Sequence, residues 1–394
     1  MGMVLPPATC DRLRPFGTSV FAEMTQLAIK HGAVNLAQGF PDFDGPAGAK
    51  AAAIAAINAG HSQYARMFGL PALNQVLAST WNARTGLHAD PDRHITVTSG
   101  CTEAIAAALL GLLNPGDEIV IFEPFYDSYR ACVAMTGATA RFVALRPGGP
   151  GEPFGFDEGE LRAAFTDRTK AVLLNTPHNP TGKVFTRDEM SFIAALCQKH
   201  GAVAITDEVY EHLTYDPKLP HISMATLPGM AERTLTLSSV GKSFSLTGWK
   251  IGWAIGPEHL TAAVRAAHQF LTFTTATPLQ HGAAAIIANP GTEIDAVRTL
   301  YKENRDTLAT ALAEIGFTVY PSHGTYFMMA DHTRFGKGDD VSFCRYLTEH
   351  VKVAAIPPSS FYHTVSLGRP LVRFAFCKRR ETIAGAIAKL GALK

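Results

Sequence analysis

The sequence predicts an α/β protein: a parallel or mixed sheet covered by helices on both faces, joined to a smaller α+β domain. Three observations carry that expectation. Between about residues 94 and 275, short Val/Ile/Leu runs alternate with helical patterns, as strands buried on both faces and their crossover helices do. After "NPGTE" (289–293) the pattern changes to one long helix followed by shorter mixed elements. The composition, 47% hydrophobic and 18% charged over 394 residues, suits compact domains with ample chain for a large core.

The elements follow in order. "HITVTSG" reads as a strand ending in a glycine turn, and "CTEAIAAALLGLL" as the helix it opens, stopped by the breaker "NPG" at 114–116. "DEIVIFEP" and "KAVLLNTP" are strands, separated by the exposed, turn-rich "RPGGPGEP" (146–153) among other residues. "TRDEMSFIAALCQKHG" opens with a capping box from Thr186 to Glu189 and closes at Gly201. "AVAITDEVY" and "RTLTLSSVG" are two further short buried strands. The long helix runs to about Glu314, and "GFTVYPSHGTYFMMAD", a helix near 341–350 and "PLVRFAFC" complete the tail. The irregular "NLAQGFPDF" (35–43) leads into the larger domain. The expected division is therefore 1–45 as an N-terminal arm and part of the small domain, 46–288 as the large domain, and 289–394 as the connecting helix and small C-terminal domain.

Bulk properties narrow the function. A formal net charge of +1 gives no case for a nucleic-acid partner or an acidic membrane surface, and no apolar run reaches membrane-spanning length. The opening "MGMVLPPATCDRLRPFG" has no apolar signal core, and six scattered cysteines form no C-x-x-C pair. Both point to a cytoplasmic protein with reduced thiols. The fifteen histidines are dispersed, with no H-E-x-x-H and no G-x-S-x-G, so no metal site is expected.

In an α/β sheet the ligand site collects at the carboxyl ends of the strands. The unusual polar residues gather at those ends. "SSVGKSFSLTGWKIGW" (238–253) puts Lys242 and Lys250 in a run too apolar and glycine-rich for an exposed helix. Asp207 ends an apolar strand, where it either caps the next helix or partners a buried cation. Tyr210, three residues on, projects from the same side of a helical turn. "NTPHNPTG" sets Asn175, His178 and Asn179 in a turn held by two prolines, either plain turn chemistry or a rigid mount for a side-chain amide. "TSGCTEA" offers a helix start whose free N–H groups suit a phosphate. Together these describe pyridoxal 5′-phosphate. Its phosphate would lie on Gly100–Thr102, Ser239 and Lys250, its ring nitrogen would face Asp207, and its phenolic oxygen Asn179 and Tyr210. Its aldehyde would be held by a lysine whose amine is partly desolvated and near positive charge.

The same stretches, with "VNLAQGFPDFDGP", "EPFYDSY", "GTYFMMAD" and "LVRFAFCK", resemble the fold-type I, class I and II aminotransferases in number, order and spacing. The resemblance spans Arg12 to about Leu390. It implies an aspartate-aminotransferase-like large domain with a mostly parallel seven-stranded sheet, and a homodimer with a composite active site. By the family pattern Lys242 is the catalytic lysine, with Asp207 and Tyr210 beside it. Lys250, Ser239 and Gly100–Cys101–Thr102 hold the phosphate, Asn179 the phenolic oxygen, and Tyr126 stacks on the ring, with Phe125 the alternative one register away. Arg373 grips the substrate α-carboxylate, Gly39 brings backbone near it, and Tyr64 reaches the neighbouring subunit's phosphate. Phe16, Phe40, Phe273 and Tyr326 either line the substrate side or are ordinary core aromatics.

Within the family the chain is similar to the kynurenine, glutamine and methionine aminotransferase branch, which includes cysteine-conjugate β-lyases. It is equally similar to bacterial N-succinyldiaminopimelate aminotransferases, through "RLRPFGTSVFAEM", "EPFYDSY", "MAERTLTLSS" and "AAIP". The stretch "QFLTFTTATPLQ" (269–280) has no arginine of the kind the aspartate enzymes use to read a side-chain carboxylate. That favours apolar, aromatic or thioether donors, although Arg66 or Arg334 could serve a succinylated substrate. An aminotransferase-like regulatory domain would carry an added DNA-binding segment; none is evident in the sequence.

Overall fold

A computed structural model of the chain describes residues 9–17, 20–149 and 151–393. Its strands, in chain order, are β1 (Val34–Asn35), β2 (Ile95–Ser99), β3 (Glu118–Glu123), β4 (Thr139–Ala144), β5 (Thr169–Asn175), β6 (Val203–Asp207), β7 (Thr234–Ser239), β8 (Ile251–Ile255), β9 (Thr318–Val319), β10 (Phe327–Asp331), β11 (Val353–Ala354) and β12 (Leu371–Ala375). Seven of them form one sheet in the order β2-β8-β7-β6-β5-β3-β4. Only β8 runs against its neighbours; the other pairings are parallel.

The near-continuous apolar strands split by alternation onto two faces. Val120 and Phe122 of β3 pack with Val172 and Leu174 of β5 under the helix Arg187–His200. Ile119, Ile121, Ala171 and Leu173 pack on the other face with residues of the helices Gly100–Leu112, Asp127–Thr136 and Glu258–Leu271. Each such buried aliphatic side chain is worth about 1.5–3 kcal/mol of transfer free energy, so both faces must be covered. The expected capping box is present: Glu189 N–H donates to Thr186 Oγ1 at 3.2 Å and Thr186 N–H to Glu189 Oε2 at 2.8 Å. Gly201 ends that helix at φ 63°. The long helix spans Glu293–Ile315.

Two smaller sheets complete the fold. One is β12-β10-β9; the other joins β1 to β11 in parallel, so residues 34–35 pair with 353–354 near the other end of the chain. The chain departs from expectation after Asp207. No helix follows; the backbone makes two turns, Glu211 N–H to Glu208 O at 2.9 Å and Leu213 N–H to Tyr210 O at 2.8 Å. It then bridges Thr214 to Gly324, so this segment is drawn away to meet the turn before β10. Asp207 therefore caps no helix.

Candidate active site

The sheet topology places the site. β2, β5, β6 and β7 all end at one edge of the sheet, with Ser99, Asn175, Asp207 and Ser239 as their last residues. Because β8 is antiparallel, it begins at that same edge, which is why Lys250 joins the strand ends from the sequence that precedes a strand. Gly100, Cys101, Thr102, Tyr126, Asn179, Asp207, Tyr210, Ser239, Lys242 and Lys250 all line one cleft, which encloses about 650 Å³ of space counted out towards solvent.

The anion end is built around glycine. Gly100 has φ +72°, and a Cβ there would meet Lys250 Cε and Nζ at 3.2 Å. Lys250 itself is held at φ 56° to aim its chain at this turn. Gly252 lies beneath: a Cβ would sit 2.5 Å from the Gly100 carbonyl carbon and 2.6 Å from Cys101 N. Ser99 N-caps the helix with no side-chain hydrogen bond, which leaves first-turn N–H groups open to an anion. Among the described residues Lys250 makes no salt bridge. Ser239 Oγ accepts the Gly241 N–H at 3.3 Å and so caps the short helix Val240–Ser243 that carries Lys242.

At the other end Asp207 is buried. Tyr129 donates its hydroxyl to Asp207 Oδ2 at 2.5 Å, Cys101 Sγ lies 3.6 Å from Oδ1, and Val209 N–H donates to Oδ1 at 3.3 Å. Burial raises the carboxyl pKa, against the pull of these donors and of Lys242. Asn175 fixes the neighbouring turn, donating Nδ2–H to Asp207 O at 2.8 Å and accepting the Asn179 N–H on Oδ1 at 2.6 Å. The Lys242 ammonium stands 5.8 Å from the ring centres of both Tyr210 and Tyr326, and desolvation lowers its pKa, with Lys250 adding to the shift. Desolvation likewise pushes the Tyr126 phenol up to about 12.

Arg373 sits alongside, 1% exposed. It donates to Ala37 O at 2.8 Å and to Asn179 Oδ1 at 3.2 Å, its Nε has no partner among the described residues, and its guanidinium lies 4.1 Å from the Phe327 ring centre. Desolvation brings its pKa down to about 10. It is a buried cation with no salt bridge among the described residues. Gly39 is close by: its carbonyl accepts the Tyr326 hydroxyl at 2.5 Å, and a Cβ would meet Phe327 Cζ at 2.4 Å.

The remaining expected residues fall outside the cleft. Tyr64 is 81% exposed and packs edge-on against Phe273 at 5.4 Å, itself 46% exposed. Phe16 lies 5.6 Å from the Arg130 guanidinium, and Phe40 4.8 Å from the Lys378 ammonium. Tyr326 is fully buried behind Tyr210, at 5.2 Å between ring centres. Phe125 packs into the core against Phe142, so Tyr126 is the aromatic in register with the cleft. His178 is buried in its turn on Thr181, with burial lowering its pKa to about 3. Arg66 is bound to Asp92 and Gly69 O, and the Arg334 guanidinium lies against Gly316. Tyr129 is the residue that sequence reasoning missed. It lies in the helix Asp127–Thr136, where a tyrosine reads as core.

The donor set fits pyridoxal phosphate. An open helix start with an unpaired ammonium suits a phosphate, a buried carboxylate suits a ring N–H, and the orphaned Arg373 Nε suits a carboxylate.

Comparisons with known proteins identify the family. A family model described as "Aminotransferase class I and II" matches residues 31–390. The chain is 47% identical over 393 residues to a probable N-succinyldiaminopimelate aminotransferase of Mycobacterium tuberculosis, covering 98% of each. It is 37% identical to a methionine aminotransferase of Escherichia coli, over 96% of this chain and 97% of that one. The solved structure of N-succinyldiaminopimelate aminotransferase from Mycobacterium tuberculosis superposes with a TM-score of 0.95 at 48% identity, covering 98% of this chain and 100% of the other. By sequence and by fold, the chain belongs to the class I and II aminotransferases.

Proposed function

We propose that this aminotransferase uses pyridoxal phosphate to exchange the amino group of an L-amino acid with a 2-oxo acid in a ping-pong cycle. The observation that carries the reading is the desolvated Lys242 amine in the cleft, with Arg373, a buried guanidinium short of an acceptor, hydrogen-bonded to the cleft residue Asn179. When bound, the cofactor would supply an electrophilic aldehyde and a ring that accepts electrons from a substrate carbanion. Lys250, Ser239 and the Gly100–Thr102 turn would hold its phosphate, Asp207 its ring nitrogen, Asn179 and Tyr210 its phenolic oxygen, and Lys242 its aldehyde carbon. Arg373 would clamp the α-carboxylate in its fork, with Asn179 and the backbone near Gly39 beside it. That clamp orients the α-hydrogen toward Lys242, whose amine takes the proton from one carbon and returns it to another. The 2-oxo acid proposed to close the cycle is 2-oxoglutarate.

The absence of an arginine in 269–280 and the engagement of Arg66 with Asp92 favour an apolar, aromatic or thioether side chain on the donor. A second reading, N-succinyl-LL-diaminopimelate as donor, is favoured by the 47% identity over nearly the whole chain to an enzyme named for that substrate. Elimination from cysteine S-conjugates needs the same residues and would be recognised by pyruvate and ammonia as products.

A homodimer and the expected division at residues 45 and 288 are part of this reading. Tyr64, Phe270, Leu271 and Phe273 are all exposed, an apolar strip suited to a second copy, with Tyr64 free to reach the other cleft. The six cysteines are unpaired, which suits a reducing cytoplasmic setting, and no helix among the described residues is long and apolar enough to cross a membrane. Titration of the cofactor-loaded protein with methionine, glutamine, kynurenine, phenylalanine, glutamate, aspartate and N-succinyldiaminopimelate tests the proposal. Donors should bleach the absorbance band of the bound aldehyde and raise that of the aminated cofactor. A band that no donor bleaches contradicts transamination.

A further inference from the structure

Directly behind the phosphate-binding turn lies a glutamate–histidine pair, its histidine fully buried, that the reaction itself does not use. Ser99, the N-cap of the helix Gly100–Leu112, donates its N–H to Glu103 Oε2 at 2.5 Å. Glu103 Oε1 lies 2.6 Å from His268 Nδ1, and His268 Nε2 lies 2.8 Å from Met67 O. His268 is fully buried in the last turn of the helix Glu258–Leu271. A carbonyl oxygen only accepts, so Nε2 carries hydrogen; a carboxylate accepts as well, so the shortest contact of Nδ1 is with an acceptor, the Thr272 hydroxyl standing further off at 3.3 Å. Two acceptors on two ring nitrogens is the environment of an imidazolium, and the helix C-terminus favours that charge. Burial acts to lower the His268 pKa, but the Glu103 hydrogen bond and charge and the Met67 carbonyl outweigh it, leaving the value raised. Arg265, the other cation near this ring, opposes the shift; its guanidinium is turned toward Thr96 and the Asp92 and Ile95 carbonyls.

The arrangement resolves a conflict. Glu103 fixes the backbone of the turn by holding the Ser99 N–H, yet it also sets a carboxylate in the first turn of a helix whose N–H groups are to receive a phosphate. An unneutralised carboxylate there repels a dianion. We propose that His268 is a positioning residue for the cofactor phosphate: its imidazolium neutralises Glu103 and ties the phosphate turn to the Met67 backbone. The same residue also reaches the exposed strip. Its carbonyl accepts the Phe273 N–H at 3.0 Å, while Met67 follows Tyr64 by three residues. This proposal rests on the reading of Gly100–Thr102 as the phosphate cradle.

The test compares two ligands that differ only by the phosphate, pyridoxal phosphate and pyridoxal, titrated into wild-type, His268→Gln, Glu103→Gln and the double variant. His268→Gln should weaken pyridoxal phosphate by about tenfold or more, as an uncompensated charge replaces a paired one. It should leave pyridoxal within about twofold, because no phosphate is present to feel the carboxylate. Adding Glu103→Gln should restore most of the lost affinity, since the amide oxygen still accepts the Ser99 N–H and the charge is gone. Equal weakening of both ligands, or no recovery in the double variant, overturns the proposal. Should His268→Gln not fold, Glu103→Gln alone decides: affinity for pyridoxal phosphate at or above wild type supports the charge argument, and a tenfold loss overturns it. Wild-type protein that binds pyridoxal but gains nothing from the phosphate overturns the cradle reading and this proposal with it. Protein that binds neither ligand defeats the cofactor assignment itself, a distinguishable failure.

Discussion

Arg373→Gln separates what the buried guanidinium does for the fold from what it does for the substrate. In the structure this side chain is 1% exposed and, among the described residues, hydrogen-bonded only to Ala37 O and Asn179 Oδ1, with its Nε unpartnered. Truncating one side of a desolvated carboxylate–guanidinium contact costs about 2–5 kcal/mol. At about 1.4 kcal/mol per decade, kcat/KM for an L-amino acid should fall roughly 30-fold to several thousand-fold. The fold should not suffer in proportion. A buried cation lacking a carboxylate carries a desolvation penalty of several kcal/mol, which offsets its contacts with the Phe327, Phe361 and Phe21 rings at 4.1, 5.1 and 5.3 Å, about 0.5–2 kcal/mol each. The glutamine amide also retains a donor for Ala37 O. The thermal midpoint of the variant should therefore stay close to that of wild type. The assay is a double-mutant cycle: wild type and Arg373→Gln, each with an amino acid donor and with the corresponding amine lacking the α-carboxylate. Wild type should prefer the amino acid strongly and the variant should lose that preference. If both donors lose activity by the same factor, the guanidinium is not the carboxylate clamp and the reasoning fails.

Other outcomes follow from the same geometry. Tyr129→Phe removes the 2.5 Å donor to Asp207, a charge-assisted bond worth about 1.5–3 kcal/mol. Affinity for pyridoxal phosphate should drop by about tenfold or more, measured by absorbance titration; unchanged affinity would show that the bond is incidental. Gly252→Ala drives a Cβ into backbone at Gly100 and Cys101 that has no room to move, so cofactor affinity should collapse. Gly111→Ala, which meets the Ala263 carbonyl on the far end of the same helix, should lower the thermal midpoint without a comparable loss of affinity. The Lys242 amine is lowered from 10.5 by desolvation first and Lys250 among the charges, so it becomes neutral at a lower pH than an ordinary lysine. The acid limb of the kcat profile, which reports the enzyme–donor complex in which Lys242 is a free amine, should rise with pH to a midpoint below 10.5, and Lys250→Gln should move that midpoint upward. A downward move would reverse the assigned sign.

The parts of the site that were legible in the sequence are those that look out of place locally. Lysines in a glycine-rich apolar run, an aspartate closing a strand and two prolines around an asparagine each break a local rule, and such breaks cluster at functional sites. The alternation of strands and helices then placed them at one edge of a sheet. Tyr129 breaks no rule, since a tyrosine on the inner face of an amphipathic helix reads as core. Its partner Asp207 is 78 residues away. His268 was silent for the same reason: its partners Glu103 and Met67 lie 165 and 201 residues distant, and only packing of two helices brings them together. The turns after Asp207 were misread as helical because the local pattern carried no sign of the long-range bridge to Gly324. Tyr64 and Phe273 face solvent in a single chain, where nothing local marks them for a site, and resemblance alone named them.

The most direct test of the account asks which of the two lysines holds the cofactor. The protein loaded with pyridoxal phosphate is reduced with borohydride, digested, and its peptides are mapped by mass spectrometry. The account predicts the cofactor fixed on Lys242, with Lys250 unmodified and the Lys242→Ala variant folded but unlabelled and without turnover. Label on Lys250, or none on either lysine of the loaded protein, would contradict it.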